Sequence, residues 1–412
     1  MAKVNIKKEQ LDFLDWEFGV FFHFGIRTFY EGHRDWDGKP MPLEGFNPPE
    51  IDCDSWVKTV KDCGAKYAIL VCKHHDGFAN WPSKYTDYSV KNTPWMDGKG
   101  DVVKLFTDAC RKYDIKVGLY YSPAQQGSKD MDGKEYDDYF INQISELLTN
   151  YGKIDYLWFD GCGSEGHNYD AVRIVNAIRT CQPGILIFNM WDPDTRWIGN
   201  EAGLAPEKNK NILTELSGFS VNQAEGDKLE EARFLPGECD VTMRERNWFY
   251  SDADVHTVKS LDELMGLYYL SIGRGANLLL NIGPGRDGKL PKEDTKAILE
   301  FGERIKETFS EKNEVCGNVV KEDGTVEITF DGYVPVNHIV LGEDISDGTE
   351  IEGFEVYARV NPWTDPELIY RGTTIGHKKI CVFPTLNITS LKITFDKNKK
   401  VDAKAYNIPL FN

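Results

Sequence analysis

Over about its first 310 residues the chain alternates short apolar runs with amphipathic helical stretches, and this alternation restricts it to parallel α/β architectures. Residues 19–24 (GVFFHF), 67–72 (YAILVC), 116–121 (KVGLYY), 154–159 (IDYLWF), 185–188 (ILIF) and 276–281 (ANLLLN) read as strands. Helices are expected between them. In 55–63, Trp56, Val60 and Cys63 share a face; in 102–113, Val103, Phe106 and Cys110 do. The stretch 137–151 places Phe140, Ile144, Leu147 and Leu148 at helical spacing, and 170–180, 261–272 and 292–308 complete the set. Open doubly-wound and closed barrel arrangements both fit. Roughly eight strand candidates in about 300 residues favour a (β/α)8 barrel of TIM type. The sixth and seventh strands are not resolved by pattern, because 190–235 is polar and irregular.

The pattern changes near residue 313. Segments 326–330, 338–341, 354–360, 379–383 and 390–395 read as short strands separated by Gly, Asp, Asn and Pro turns. This predicts a C-terminal antiparallel β-sandwich at 313–412 after a catalytic barrel at 1–312, and 412 residues exceed what one core usually holds.

A net charge of −18 argues against nucleic acid and anionic membrane surfaces as partners. No apolar run approaches the roughly 20 residues that span a bilayer. The N-terminus is charged and has no apolar core of a signal peptide. Nine cysteines, an odd number without a CxxC pair, predict neither a disulfide framework nor a structural zinc site. Together these point to a reduced cytoplasmic protein, in which the sequon Asn387-Ile388-Thr389 carries no meaning. The oligomeric state is not legible.

In parallel α/β folds ligands bind at the C-terminal ends of the strands. There the sequence places His23, then Lys73-His74-His75-Asp76-Gly77-Phe78, Tyr120-Tyr121, Trp158 with Asp160, and Asn281. Each has a plain structural reading. A lone His is more often a satisfied core residue, and an Asp before Gly often caps a turn. A carboxylate closing a buried strand is costly unless it is paired or used, and the co-located His, Tyr and Trp residues favour use. The His74-His75 pair is read as hydrogen-bonding imidazoles rather than metal ligands, since adjacent side chains diverge and no further ligand cluster completes a tetrahedral site.

Gly161-Cys162-Gly163-Ser164-Glu165-Gly166 matches GxGxxG after a strand. A dinucleotide site would want an acidic residue ending the next strand, which ends in Asn189 instead, so no cofactor is expected. Glycoside hydrolysis would need a second carboxylate. Glu238, in Leu235-Pro236-Gly237-Glu238-Cys239-Asp240, is the leading candidate, with Glu201, Glu225, Glu231 and Asp240 as rivals.

These segments, spread over residues 15–310, resemble glycoside hydrolase family 29, the α-L-fucosidases. The resemblance rests on Phe18–Gly25, Lys73–Phe78, Trp81-Pro82-Ser83-Lys84-Tyr85-Thr86-Asp87-Tyr88, Gly118–Pro123, Trp158–Gly161, Gly237–Thr242 and Asn277–Pro284. It implies a (β/α)8-like barrel plus a β-sandwich, no metal or organic cofactor, and a retaining exo-hydrolase of terminal α-L-fucosyl residues of glycans. It implies Asp160 as nucleophile and Glu238 as acid/base, with their carboxyl groups about 5–5.5 Å apart. His23, His74 and His75 match residues that bond sugar hydroxyls. Trp36, Tyr121, Trp158 and Trp248 match residues lining the sugar pocket. Asp155–Gly161, Arg196-Trp197-Ile198-Gly199-Asn200-Glu201 and Glu238–Met243 are similar to members preferring α-1,3/1,4 linkages. The residues after Pro123 (Ala124-Gln125-Gln126) depart from that subgroup, and His74-His75 with Ile282-Gly283-Pro284 resemble the broader-specificity one. A glycosidase for another sugar, or a non-catalytic sugar-binding protein, are the competing readings.

Overall fold

The computed structural model describes all residues except 1–3, 33, 125–130, 165, 217, 219–225, 227, 349 and 410–412. Ten strands precede residue 282: β1 Phe18–Phe22, β2 Tyr67–Lys73, β3 Lys116–Tyr121, β4 Tyr156–Phe159, β5 Leu186–Phe188, β6 Arg196–Trp197, β7 Ile212–Glu215, β8 Lys228–Phe234, β9 Gly237–Thr242 and β10 Asn277–Asn281. Eight of them form one parallel sheet in the order β5-β4-β3-β2-β1-β10-β9-β6. The sheet closes into a barrel through a parallel bridge from Phe188 to Thr195.

The helices are α1 Lys8–Trp16, α2 Cys53–Asp62, α3 Val102–Tyr113, α4 Gly133–Asn150, α5 Ala171–Cys181, α6 Leu261–Leu270 and α7 Lys292–Thr308. Asp52, Asp101, Asp132, Asp170 and Ser260 each accept a first-turn backbone N–H, which explains where α2 to α6 begin. Their apolar faces pack on the outer barrel wall around residues such as Trp56, Phe106, Phe140 and Ile178. A second cluster fills the barrel interior with Phe21, Tyr67, Tyr120, Tyr156, Trp158 and Phe188. Its N-terminal end is stoppered by α1, whose Phe13 and Trp16 meet Tyr156 and Tyr67 at 5.3 and 5.5 Å between ring centroids. Gly19 is the small residue this filling requires, since a Cβ there would lie 2.4 Å from the Tyr67 ring.

Regular βα alternation fails on one side of the barrel. Only residues 189–195 connect β5 to β6, and an antiparallel hairpin, β7–β8, is inserted before β9. This is the region in which strands six and seven escaped the sequence pattern.

Beyond α7, a seven-stranded antiparallel sheet contains β11 Glu314–Val315, β12 Asn318–Glu322, β13 Thr325–Glu343, β14 Phe354–Arg359, β15 Glu367–Gly372, β16 Lys379–Phe395 and β17 Val401–Tyr406. The long strands β13 and β16 bend at two register shifts, and the sheet folds into a sandwich around Ile328, Val336, Ile339, Val356, Leu391 and Ile393. It joins the barrel by a bridge between Lys379 and Arg274 and by Glu350, which accepts backbone N–H groups of Asn211 and Ile212. Among the described residues no helix is long and apolar enough to cross a membrane.

Candidate active site

The C-terminal mouth of the barrel holds a cavity of about 440 Å³, lined by aromatic rings, three histidines and four carboxylates. Its size and lining suit a small polar ligand with apolar faces.

Asp160 follows β4 and faces inward with Trp158, two residues earlier, as strand alternation requires. Tyr120 Oη donates to Asp160 Oδ2 at 2.7 Å, and the Cys162 N–H donates to Oδ1 at 2.8 Å. His75 Nε2 lies 3.4 Å from Oδ2. Burial pushes the Asp160 carboxyl upward, but the His75 cation and these donors outweigh it and hold its pKa below the ordinary value. Burial works against a charge on His75 as well, yet the Asp160 carboxylate raises it to about 9. The Cys162 amide is thus spent on Asp160, and among the described residues no helix follows the glycine-rich loop before Ala171.

His23 and His74 are different. Burial lowers His23 to about 3, against the opposing hydrogen bond between its Nδ1 and Asn281 Oδ1 at 2.7 Å. Burial and the flanking His75 hold His74 well below its usual range, and its Nδ1 has no hydrogen-bond partner among the described residues. Both are neutral imidazoles in the pocket wall. The sequence expectation that the His74 and His75 side chains diverge is not met. A register shift at the end of β2 puts both on the pocket, ring centroids 4.2 Å apart. Donor atoms of His74, His75 and Asp160 lie within 4.8 Å of one another. In this arrangement His75 Nδ1 pairs with Ser122 Oγ at 2.6 Å while its Nε2 faces the carboxylate.

Trp158, Trp248 and Trp36 complete the expected lining. Trp248 stacks obliquely on His23 at 5.1 Å and donates its backbone N–H to Asp35 Oδ2 at 2.7 Å. Trp36 is 57% exposed and stands at the mouth, with the Arg34 guanidinium 5.7 Å from its ring.

Two expected residues lie elsewhere. Tyr121 points out of the barrel, donates to Gln143 Oε1 at 2.7 Å and packs against Phe140 of α4. Its neighbour Tyr120 takes the inward place. Glu238 is fully buried at the second position of β9, paired in register with Asn277 at the entry of β10. It accepts from Tyr67 Oη at 2.6 Å, Trp158 Nε1 at 2.8 Å and Tyr156 Oη at 3.4 Å, and it does not line the cavity. Burial raises its carboxyl to about 8, against the lowering effect of those donors, and it sits beneath the Trp158 floor rather than on the cavity.

The carboxylates that do reach the cavity are Asp35, Glu201 and Asp240, beside Asp160. Asp240 is the next inward residue of β9, about 7 Å closer to the rim than Glu238. It accepts Trp197 Nε1 at 2.8 Å, and burial raises it to about 6 despite that bond. Glu201 sits in the loop after β6 with φ 50°, a left-handed conformation uncommon for a non-glycine residue. The turn is fixed by Asn200, whose side chain bonds the Ala202 N–H at 2.9 Å and the Leu204 carbonyl at 2.7 Å. The Gly203 N–H to the Asp240 carbonyl and a bridge from Ala202 to Val241 pin it to β9. Glu201 remains exposed at the rim, and crowding by the cavity wall, then the charges of Asp240 and Asp160, push it up to about 7. Asp35 is raised to about 6 by burial. Arg246 is also on the cavity wall. Of the rival carboxylates, Glu231 lies on β8 away from the cavity, and Glu225 and the altered pair Gln125-Gln126 fall outside the described residues.

A family model for alpha-L-fucosidase matches residues 2–308. The chain is 33% identical to alpha-L-fucosidase 1 of Arabidopsis thaliana over 93% of its own length and 83% of that protein's. Its structure is similar to that of a putative alpha-L-fucosidase from Bacteroides ovatus, with a TM-score of 0.88 and 33% identity over 98% of this chain and 74% of that one. A Ruminococcus gnavus fucosidase in complex with fucose superposes with a TM-score of 0.83 at 26% identity, covering 99% of this chain and 96% of that one.

Proposed function

The chain belongs to the α-L-fucosidase family and is a glycoside hydrolase acting on fucosylated glycans; from that premise we propose a retaining exo-enzyme in which Asp160 attacks and Glu201 is the acid/base. The observation that carries this reading is one cavity in which Asp160 is held ionised while, of the three other carboxyls, the rim residue Glu201 is raised highest. Asp160 is kept ionised by three donors, and Glu201 is raised to about 7.

In the first step an Asp160 carboxylate oxygen bonds to the anomeric carbon as the glycosidic C–O bond breaks, and the Glu201 proton passes to the departing oxygen. In the second, the Glu201 carboxylate takes a proton from water, whose oxygen displaces Asp160. Two inversions give net retention. His75 and Tyr120 counter the charge on Asp160, and their hold must loosen as it is spent in bond formation. Neutral His23 and His74 and the carboxylate of Asp35 suit sugar hydroxyls, while Trp158, Phe21 and Trp248 suit the apolar face and methyl of fucose. The enclosed floor supports attack at a chain end, with the aglycone leaving past Trp36 and Glu201.

The similarity of Arg196–Glu201 and Glu238–Met243 to members with that preference supports α-1,3/1,4-linked fucose as substrate; comparative kcat/KM on α-1,2-, α-1,3-, α-1,4- and α-1,6-fucosides tests it. Retention is tested by proton NMR during hydrolysis of an aryl α-L-fucoside. α-L-Fucose must appear first and then mutarotate; initial β-L-fucose would overturn the mechanism.

A further inference from the structure

The buried Glu238 carboxyl is linked to Asp160 by three contacts in series. Trp158 Nε1 donates to Glu238 Oε1 at 2.8 Å. The indole stacks on Phe188 at 4.1 Å and on Tyr120 at 5.4 Å between centroids. Tyr120 Oη donates to Asp160 Oδ2 at 2.7 Å. We propose that Glu238 is a positioning residue for the hydrolysis: it fixes the indole that floors the cavity, and through that indole the phenol that orients the attacking carboxylate. This rests on the reading of Asp160 as nucleophile.

A carboxyl is an expensive way to fill a barrel interior, since burial is costly unless its oxygens are satisfied. Here Tyr67, Trp158 and Tyr156 supply donors from three sides. An indole N–H buried in a barrel needs an acceptor, and here the Glu238 carboxyl provides it. Of the inward positions of β9, 238 lies one layer below the indole's cavity face. Asp240, in the next layer up, bonds Trp197 instead. The two acidic residues of β9 thus each hold one tryptophan of the cavity wall, and only the upper one is itself on the cavity.

The chemistry predicts which substitutions matter. Glutamine keeps a carbonyl oxygen for Trp158 and closely mimics a neutral carboxyl. Leucine keeps the bulk but leaves the Trp158 N–H buried and unpaired. The experiment is steady-state kinetics of Glu238→Gln, Glu238→Leu, Trp158→Phe and the Trp158→Phe/Glu238→Leu double variant, on aryl α-L-fucosides with good and poor leaving groups. Near-UV circular dichroism verifies folding. The expected result is a kcat loss of about 10- to 100-fold for Glu238→Leu, equal for both leaving groups because nucleophile placement is impaired rather than proton donation. Glu238→Gln should stay within about threefold of the parent with an unchanged pH profile, and the double variant should match Trp158→Phe alone.

The proposal is overturned if Glu238→Gln is as impaired as Glu238→Leu with a loss that grows as the leaving group worsens, which would make Glu238 the proton donor. It is also overturned by additive losses in the double variant, or by full activity of folded Glu238→Leu. Should Glu238→Leu not fold, Glu238→Gln in the Trp158→Phe background decides: no further loss supports the proposal, and a further tenfold loss overturns it. Asp160→Ala is assayed alongside. If it is fully active the nucleophile assignment itself fails; if it is inactive while Glu238→Leu is fully active, only the positioning role fails.

Discussion

His75 Nε2 lies 3.4 Å from Asp160 Oδ2, and the two groups shift each other: the carboxylate raises the imidazole to about 9 and the imidazolium lowers the carboxyl. The pair places a cation beside the carboxylate proposed to attack. His75→Gln keeps a donor and removes the charge. It should lower kcat about 10- to 100-fold and move the acidic limb of kcat/KM to higher pH, because Asp160 then protonates more readily.

The same pair sets a dependence of stability on pH. The folded pKa of His75, about 9, exceeds its ordinary value of 6.5. Its contribution to stability is therefore fully present below pH 6.5 and is lost as pH rises through about 9. The difference in Tm between parent and His75→Gln, measured from pH 6 to 10, should shrink across that window.

In the proposed mechanism Glu201, raised to about 7, donates the proton of the first step, so kcat/KM should fall as pH rises above about 7. Glu201→Gln should lose about 10²- to 10⁴-fold on poor leaving groups and far less on good ones. Asp240→Asn removes a like charge that raises Glu201 and should shift the alkaline limb to lower pH. A limb that stays in place would show that Asp240 does not tune the acid.

Adjacent tyrosines separate the two faces of β3. Tyr120→Phe removes a donor to Asp160 and should reduce kcat with little change in Tm. Tyr121→Phe removes the bond to Gln143 and should cost about 1 kcal/mol of stability with kcat unchanged. The opposite assignment of effects would place Tyr121, not Tyr120, in the cavity.

The barrel was legible where strands are uninterrupted apolar runs, as in β2 and β3. It was not legible in β6, only two residues long, or in β9, whose inward positions are Glu238 and Asp240 rather than aliphatic. Asp160, Trp158 and the three histidines, which line the cavity, could be placed at the rim from sequence because they close recognisable strands. Choosing Tyr120 over Tyr121 needs the pairing of Tyr120 with Trp158 across β3 and β4, which a single strand cannot reveal. The proposal of Glu201 over Glu238 rests on the depth of each residue along the barrel. A raised carboxyl affinity alone would have kept Glu238, because burial raises it without bringing it to the cavity.

The assignment of Asp160 is tested most directly by hydrolysis of an aryl α-L-fucoside by Asp160→Ala with and without azide. The expected result is a loss of at least about 10³-fold, with azide restoring aryl release and yielding β-L-fucosyl azide, since the small anion attacks from the side the carboxylate vacates. Aryl release by Asp160→Ala at the parent rate without azide would contradict it.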